Sequence, residues 1–184
     1  MEKNSEEKKQ ILLKKINEER EIDVLTKYND LEKLQRSILF SAVNPDIIKE
    51  IINEMVIENF KEGSSISKEK DNSRMYIILE GSVKIFCKSD EHEVVFAKLS
   101  EGEFFGEIGM IMNKPSLMSI SALTDCRVLI ITMEDLIYLK KYYPDSLVEI
   151  YEAMMKTMCR RLDITDKRLV LKEVFKNVNK KQPN

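Results

Sequence analysis

The most informative stretch of the chain is Gly102 to Ser119, which reads Gly-Glu-Phe-Phe-Gly-Glu-Ile-Gly-Met-Ile-Met-Asn-Lys-Pro-Ser-Leu-Met-Ser. Three of the chain's five glycines lie here beside carboxylates and hydroxyls. That mixture suits noncovalent recognition, because glycine lets the backbone come close to a bound group and side-chain oxygens orient it. Chemistry of other kinds finds little support. His92 is the single histidine and sits in the polar run Lys88-Ser89-Asp90-Glu91-His92-Glu93, which reads as a solvated hairpin tip. Cys87, Cys126 and Cys159 are far apart and form no C-x-x-C pair, so they read as buried free thiols of a reducing compartment rather than a metal or redox centre. No Ser-His-Asp, Cys-His or paired-carboxylate arrangement has a setting, and an enzyme is not expected; no catalytic residue and no metal ligand is assigned.

The elements that would position this stretch follow from periodicity. From Ser5 to about Arg36 a highly charged segment carries apolar residues at helical spacing, Ile11, Leu12, Ile16, Val24, Leu25, Leu31 and Leu34, and predicts one or two amphipathic helices. Asn44 as N-cap, Pro45 at the first helical position and Asp46 in the first turn start another, whose stripe of Ile47, Ile48, Ile51, Ile52 and Met55 should lie on the following sheet. Between Met55 and Ile131 short runs of Val, Ile, Phe and Tyr alternate with polar turns and glycines, the texture of an antiparallel sandwich or barrel. Strands are predicted at 56–60, 65–67, 75–80, 82–87, 94–99, 119–123 and 127–132, with Gly81 supplying a positive φ in the turn between the third and fourth. Thr132 and Asp135 form a near capping box for a short helix. Pro144 starts a final helix that nothing breaks for more than eight turns, with Leu147, Ile150, Tyr151, Met154, Met158, Leu162 and Leu169 along it. Such a length outruns one small barrel, so the helix either folds back or pairs with the same helix of a second subunit, and a stripe of 3-4 spacing through Thr165 favours the coiled-coil seam.

A chain of 184 residues supports one ordinary core with helical appendages. Charged residues make up 34% of it but cancel to a net charge of -2, so no basic field advertises nucleic acid or an anionic membrane. No apolar run approaches the length of about 20 residues that a membrane span needs, and no signal peptide opens the chain; a cytoplasmic location is expected.

The run from Gly102 to Ser119 resembles the phosphate-binding cassette of cyclic-nucleotide-binding domains, whose usual form reads Phe-Gly-Glu, a short apolar helical turn, then Pro-Arg and small residues ending in Ser or Thr. Met75 to Val83 resembles the family's Tyr-Ile-Ile-x-x-Gly-x-Val strand pair, and Leu99, Gly102 and Phe105-Gly106-Glu107 follow at the family's spacing. The similarity covers about Leu39 to Arg168 and is closest to the sensor half of bacterial catabolite-activator-like regulators. It implies a mainly β fold with flanking α: an antiparallel, jelly-roll-like β-roll, preceded by N-terminal helices and followed by a short helix and a long C-terminal helix. The expected organisation is a charged helical extension over 1–38, the roll with flanking helices over 39–143, and a dimerisation helix over 144–184.

In that family backbone N–H groups at a helix start and a bidentate arginine hold the ligand's single phosphate charge, and a glutamate accepts from the ribose 2′-hydroxyl. By resemblance Gly106 is the close-approach glycine, Glu107 the ribose acceptor and Ser119 the closing hydroxyl, with Phe105 and Ile108 beside them. Ser116 stands in the arginine position and Leu117 where a small residue is usual, so the cassette is degenerate on its anion side. Losing a charge-assisted contact worth roughly 1.5–3 kcal/mol lowers affinity by about one to two orders of magnitude. Thr165 matches the position from which activators meet the nucleobase and is equally an ordinary helix residue, while the serine that follows it in activators is Asp166 here. Lys114 reads as a solvated loop lysine. Arg160, Arg161, Lys167 and Arg168 interleave with Asp163 and Asp166 and read as the solvated face of a helix.

The implied function is a stand-alone regulatory or protein-interaction module: a homodimer through the C-terminal helix, with weak or lost binding of cAMP or cGMP and an unidentified protein partner. The alternative is a working small-ligand or cyclic-nucleotide sensor that signals through the long helix. Activators of the family carry a winged helix-turn-helix after that helix, whereas this sequence stops at Asn184, so direct DNA binding is not expected.

Overall fold

Gly81 takes φ +87, and a Cβ there would sit 2.3 Å from the Asp125 carbonyl oxygen, so the turn that opens the roll admits glycine alone without rearrangement. Around that turn the chain forms β1 (Val56–Phe60), β2 (Ser65–Ser67), β3 (Arg74–Glu80), β4 (Ser82–Ser89), β5 (His92–Ser100), β6 (Phe104–Phe105), β7 (Ser119–Ala122) and β8 (Cys126–Thr132). They pair antiparallel in two four-stranded sheets, ordered β1-β8-β3-β6 and β2-β7-β4-β5. The computed structural model describes residues 26–67, 74–89, 92–114, 116 and 118–180. The apolar positions Ile11, Leu12, Ile16, Val24 and Leu25, together with Pro115 and Leu117, lie outside the described residues.

Helix surrounds the roll. Residues 26–36 are helical (α1), followed by α2 (Pro45–Ile52), α3 (Glu107–Met112), α4 (Met133–Tyr142) and α5 (Pro144–Lys180). The expected caps form: the Asn44 side chain accepts from the Asp46 N–H, and Thr132 and Asp135 make a reciprocal capping box. The seven strands expected from the sequence are present with ends shifted by at most two residues; β6 was not foreseen, because two residues carry no periodicity.

Alternation along β3 explains why its sequence is apolar throughout. Met75, Ile77 and Leu79 face one core, built with Leu31 and Leu34 of α1, Ile48 and Ile51 of α2, and residues of α4 and α5. Tyr76 and Ile78 face the second core, inside the roll. A strand buried on both faces loses the hydrophobic-polar alternation of a half-exposed one. Arg127 of β8 fixes α1 on this frame, donating to Asp30 at 2.8 Å and to Glu80 at 3.1 Å, and Lys33 also pairs with Glu80.

Two expectations are corrected. Leu147, Ile150 and Met154 belong to the first core rather than to an exposed seam, because the first three turns of α5 pack on α4 and the sheet. Of the cysteines only Cys126 is buried; Cys87 is half-buried and Cys159 is exposed on α5. Among the described residues no helix is long and apolar enough to cross a membrane, and no group of three or more His, Cys, Asp or Glu is arranged to hold a metal ion.

Candidate functional site

A cavity of about 630 Å³ opens between β5, the cassette and α5, within the size range of small-molecule sites. Its apolar wall includes Ile85, Leu99, Phe105, Met118 and Ile120. Phe105 stacks on Tyr76 with ring centroids 4.9 Å apart, which locks the wall to the inner core.

The backbone turns from β6 into α3 at Gly106, whose φ is +88. A Cβ at Gly106 would lie 2.6 Å from the Arg74 carbonyl oxygen. The close approach that demands glycine is therefore between this turn and β3, within the protein itself. Glu107 follows as the first residue of α3 and is buried, with 4% of its surface exposed. Burial pushes its carboxyl above the usual carboxylate range, and the Arg161 guanidinium pulls against that shift without reversing it.

Arg161 was not foreseen in the site. It leaves α5, donates through Nη1 to Glu107 Oε1 at 3.0 Å and through Nη2 to the Phe104 carbonyl at 2.7 Å. Its guanidinium also lies 4.8 Å from the Phe104 ring centroid. The reading of Arg161 as part of a solvated face is thus corrected: 31% of its side chain is exposed, and three contacts tie it to the turn between β6 and α3. A guanidinium matches a buried carboxylate well because its fork satisfies an ionised oxygen and a neighbouring carbonyl together.

The cassette hydroxyl is occupied locally. Ser116 Oγ accepts from the Met118 N–H at 3.0 Å and donates to the Met118 carbonyl at 3.2 Å, closing a small turn at the cavity edge. Ser119 is not among the cavity-lining residues. Met118 and Ile120 face the cavity on either side of it, and the strand's period of two sends Ser119 to the other face. Phe105, Gly106, Glu107, Ile108, Ser116 and Thr165 do meet at the cavity. Thr165 spends its hydroxyl proton on the Arg161 carbonyl at 2.9 Å, as helical threonines commonly do, while its side chain still lines the cavity. Lys114 is exposed outside this lining, as expected.

Arg74, Lys98, Arg168 and Lys172 also line the cavity and were missed. For the α5 members a signal existed: 161, 165, 168 and 172 recur at intervals of three or four and so share one helix face. Lys98 and Arg74 carried none, since their place depends on how two sheets fold over each other.

The sequence profile described as "Cyclic nucleotide-binding domain" matches residues 57–143. A potassium channel of Oryza sativa subsp. japonica is 35% identical over 83 residues, which is 45% of this chain, and the chain spans 16% of that channel's length. The fold is similar to the catabolite activator protein of Thermus thermophilus, with a TM-score of 0.64 at 24% identity over 74% of this chain and 63% of that one. It is also similar to a cyclic nucleotide-binding domain from Methylobacillus flagellatus, with a TM-score of 0.69 at 18% identity over 80% of this chain and 84% of that one. With the roll, the cassette turn and the long helix in place, residues 57–143 belong to the cyclic nucleotide-binding domain family, on the fold of catabolite-activator-like sensor domains.

Proposed function

We propose that this protein is a regulatory module whose roll takes a small ligand, holds cAMP and cGMP only weakly, and passes the occupied state through α5 to a partner protein. The observation that carries the reading is the Arg161–Glu107 contact, because it joins the floor of the cavity directly to the long helix. A ligand hydroxyl that reaches Glu107 competes with Arg161, and the free energy of that competition is the coupling between site and helix. Weak binding of cyclic nucleotides is supported by Ser116, which offers the phosphate no charge and has its hydroxyl engaged with Met118.

The same reading includes a homodimer. Val148, Tyr151, Met155, Leu162 and Leu169 are exposed along α5, with Met158 and Thr165 between them. Their 3-4 alternation is that of a two-helix seam, displaced by one residue from the positions buried on the roll. Thr165 and Leu169 lie both on this stripe and on the cavity wall, so ligand and subunit contacts would share residues. The three free thiols suit a cytoplasmic location.

The test is amide hydrogen exchange of α5 with and without millimolar cAMP and cGMP, beside calorimetric titration and sedimentation. Expected are dissociation constants far weaker than micromolar, a ligand-dependent change in exchange near Arg161, and a dimer. Micromolar or tighter binding overturns the weak-affinity part, and α5 exchange that ignores bound ligand overturns the coupling. A second reading, an interaction module with no ligand, is favoured by the self-satisfied Ser116 turn; it prevails if no small molecule changes the protein.

A further inference from the structure

The charges on the cavity wall are one-sided. Four basic residues whose side chains can reach it line the cavity, Arg74, Arg161, Arg168 and Lys172, against the carboxylates of Glu103 and Glu107; Lys98 also borders it, but alternates with the inward Leu99 on β5 and so faces the other side of the sheet. Arg161 is matched by Glu107. Glu103 turns away into its own loop, where it accepts from the Ser100 N–H at 2.9 Å and the Ser100 hydroxyl at 3.3 Å. Arg74 has Glu58 only at 3.9 Å. Arg168 and Lys172 have no carboxylate partner among the described residues; Arg168 reaches only the Phe96 carbonyl, at 3.5 Å.

Elsewhere on α5, two exposed lysines are paired with an acid one turn before them, Lys156 with Glu152 at 3.2 Å and Lys167 with Asp163 at 2.6 Å, whereas the exposed Arg160 has Lys156 there. On the cavity face the residue four before Lys172 is Arg168, and the residue four before Arg168 is Ile164. Like charges at that spacing oppose each other along a helix. Two cations one helical turn apart beside an apolar cavity raise its potential for anions, and an anion placed between them relieves the repulsion. The cassette, by contrast, offers Ser116 where a charge would be needed.

We propose that the ligand's negative charge is held on the helix side of the cavity, by Arg168 and Lys172, and that the ligand is a nucleotide-like molecule with at least two negative charges on a body that fits the apolar wall. The inference rests on the small-ligand reading above and specifies its chemistry. Because both cations belong to α5, such a ligand is gripped by the helix that reports it.

The test is calorimetric titration with adenosine, cAMP, adenosine 3′,5′-bisphosphate and cyclic di-GMP at low and high salt. At least one of the two multiply charged probes should bind about tenfold or more tightly than cAMP at low salt, with the advantage shrinking at high salt. The double variant Arg168→Gln/Lys172→Gln should lose that advantage. The control Lys156→Gln/Lys167→Gln removes the same charge from the outer face and should change nothing; all four positions are exposed, and helicity by circular dichroism checks that the fold is kept. If adenosine or cAMP binds and neither multiply charged probe binds better, this inference falls and the sensor reading stands. An advantage that survives Arg168→Gln/Lys172→Gln, or that the control variant also abolishes, overturns it as well. No binding by any probe at millimolar concentration overturns both.

Discussion

Arg161 of α5 and Glu107 of α3 meet at 3.0 Å across 54 positions of sequence, one side chain half-exposed and the other buried. The pair sits where the cavity floor, the turn out of β6 and the long helix converge. Each partner would be costly there alone: Glu107 would be a buried carboxylate left with only a backbone N–H, and the Phe104 carbonyl would lose its guanidinium.

Arg161→Gln is therefore expected to destabilise the protein by about 2–3 kcal/mol at neutral pH, as measured by urea unfolding. A double-mutant cycle with Glu107→Gln should recover a coupling of order 1 kcal/mol or more. Strictly additive effects would show that the contact is not made in solution.

The pH dependence has a defined sign. Burial raises the Glu107 carboxyl above its ordinary value of 4.5, so the folded state favours the protonated form. Its contribution is fully present below 4.5 and is lost as pH rises through the raised folded value. Glu107→Gln, which cannot ionise, should gain on the wild type in melting temperature as pH climbs from about 4 toward neutrality. A difference that runs the other way would mean that Arg161 outweighs burial.

Ser116→Arg restores a guanidinium at the cassette. Affinity for cAMP should rise by about ten- to a hundredfold in calorimetry, the equivalent of one charge-assisted contact. The variant also gives up the Ser116–Met118 turn, at a cost of about 1 kcal/mol in stability. Unchanged affinity would locate the obstacle elsewhere in the cavity.

Gly81→Ala tests the roll's opening turn. The methyl group would meet the Asp125 carbonyl at 2.3 Å and strain a φ of +87. A loss of at least about 2 kcal/mol in unfolding free energy is expected. A neutral substitution would show that the β3–β4 turn relaxes freely.

Most of the architecture was legible because it rests on local rules. The caps at Asn44 and Thr132, the glycine at 81 and the strand runs each depend on residues within a few positions of one another, so short-range sterics and hydrogen bonding suffice to specify them. Phe105, Gly106 and Glu107 were legible for the same reason, as one contiguous motif. Ser119 closes that motif in sequence but lies outside the cavity lining, because the alternation of β7 turns Ile120 inward and puts Ser119 and Ser121 on the other face.

What tertiary structure decided is everything that depends on α5 lying over the cavity. In sequence Arg161 and Arg168 share a helix with Asp163 and Asp166 and look like solvent charges. Folding divides that helix by face: Leu147, Ile150 and Met154 enter the core, Lys156 and Lys167 pair with acids one turn back, and Arg161, Arg168 and Lys172 turn to the cavity. Helical period alone tells which residues share a face but not what that face meets, because the meeting depends on where two sheets and a helix more than fifty residues apart come to rest. The strand runs, the caps and the Phe105-Gly106-Glu107 turn were present in the order of residues; the partner of Glu107 and the α5 charges beside the cavity came only from packing.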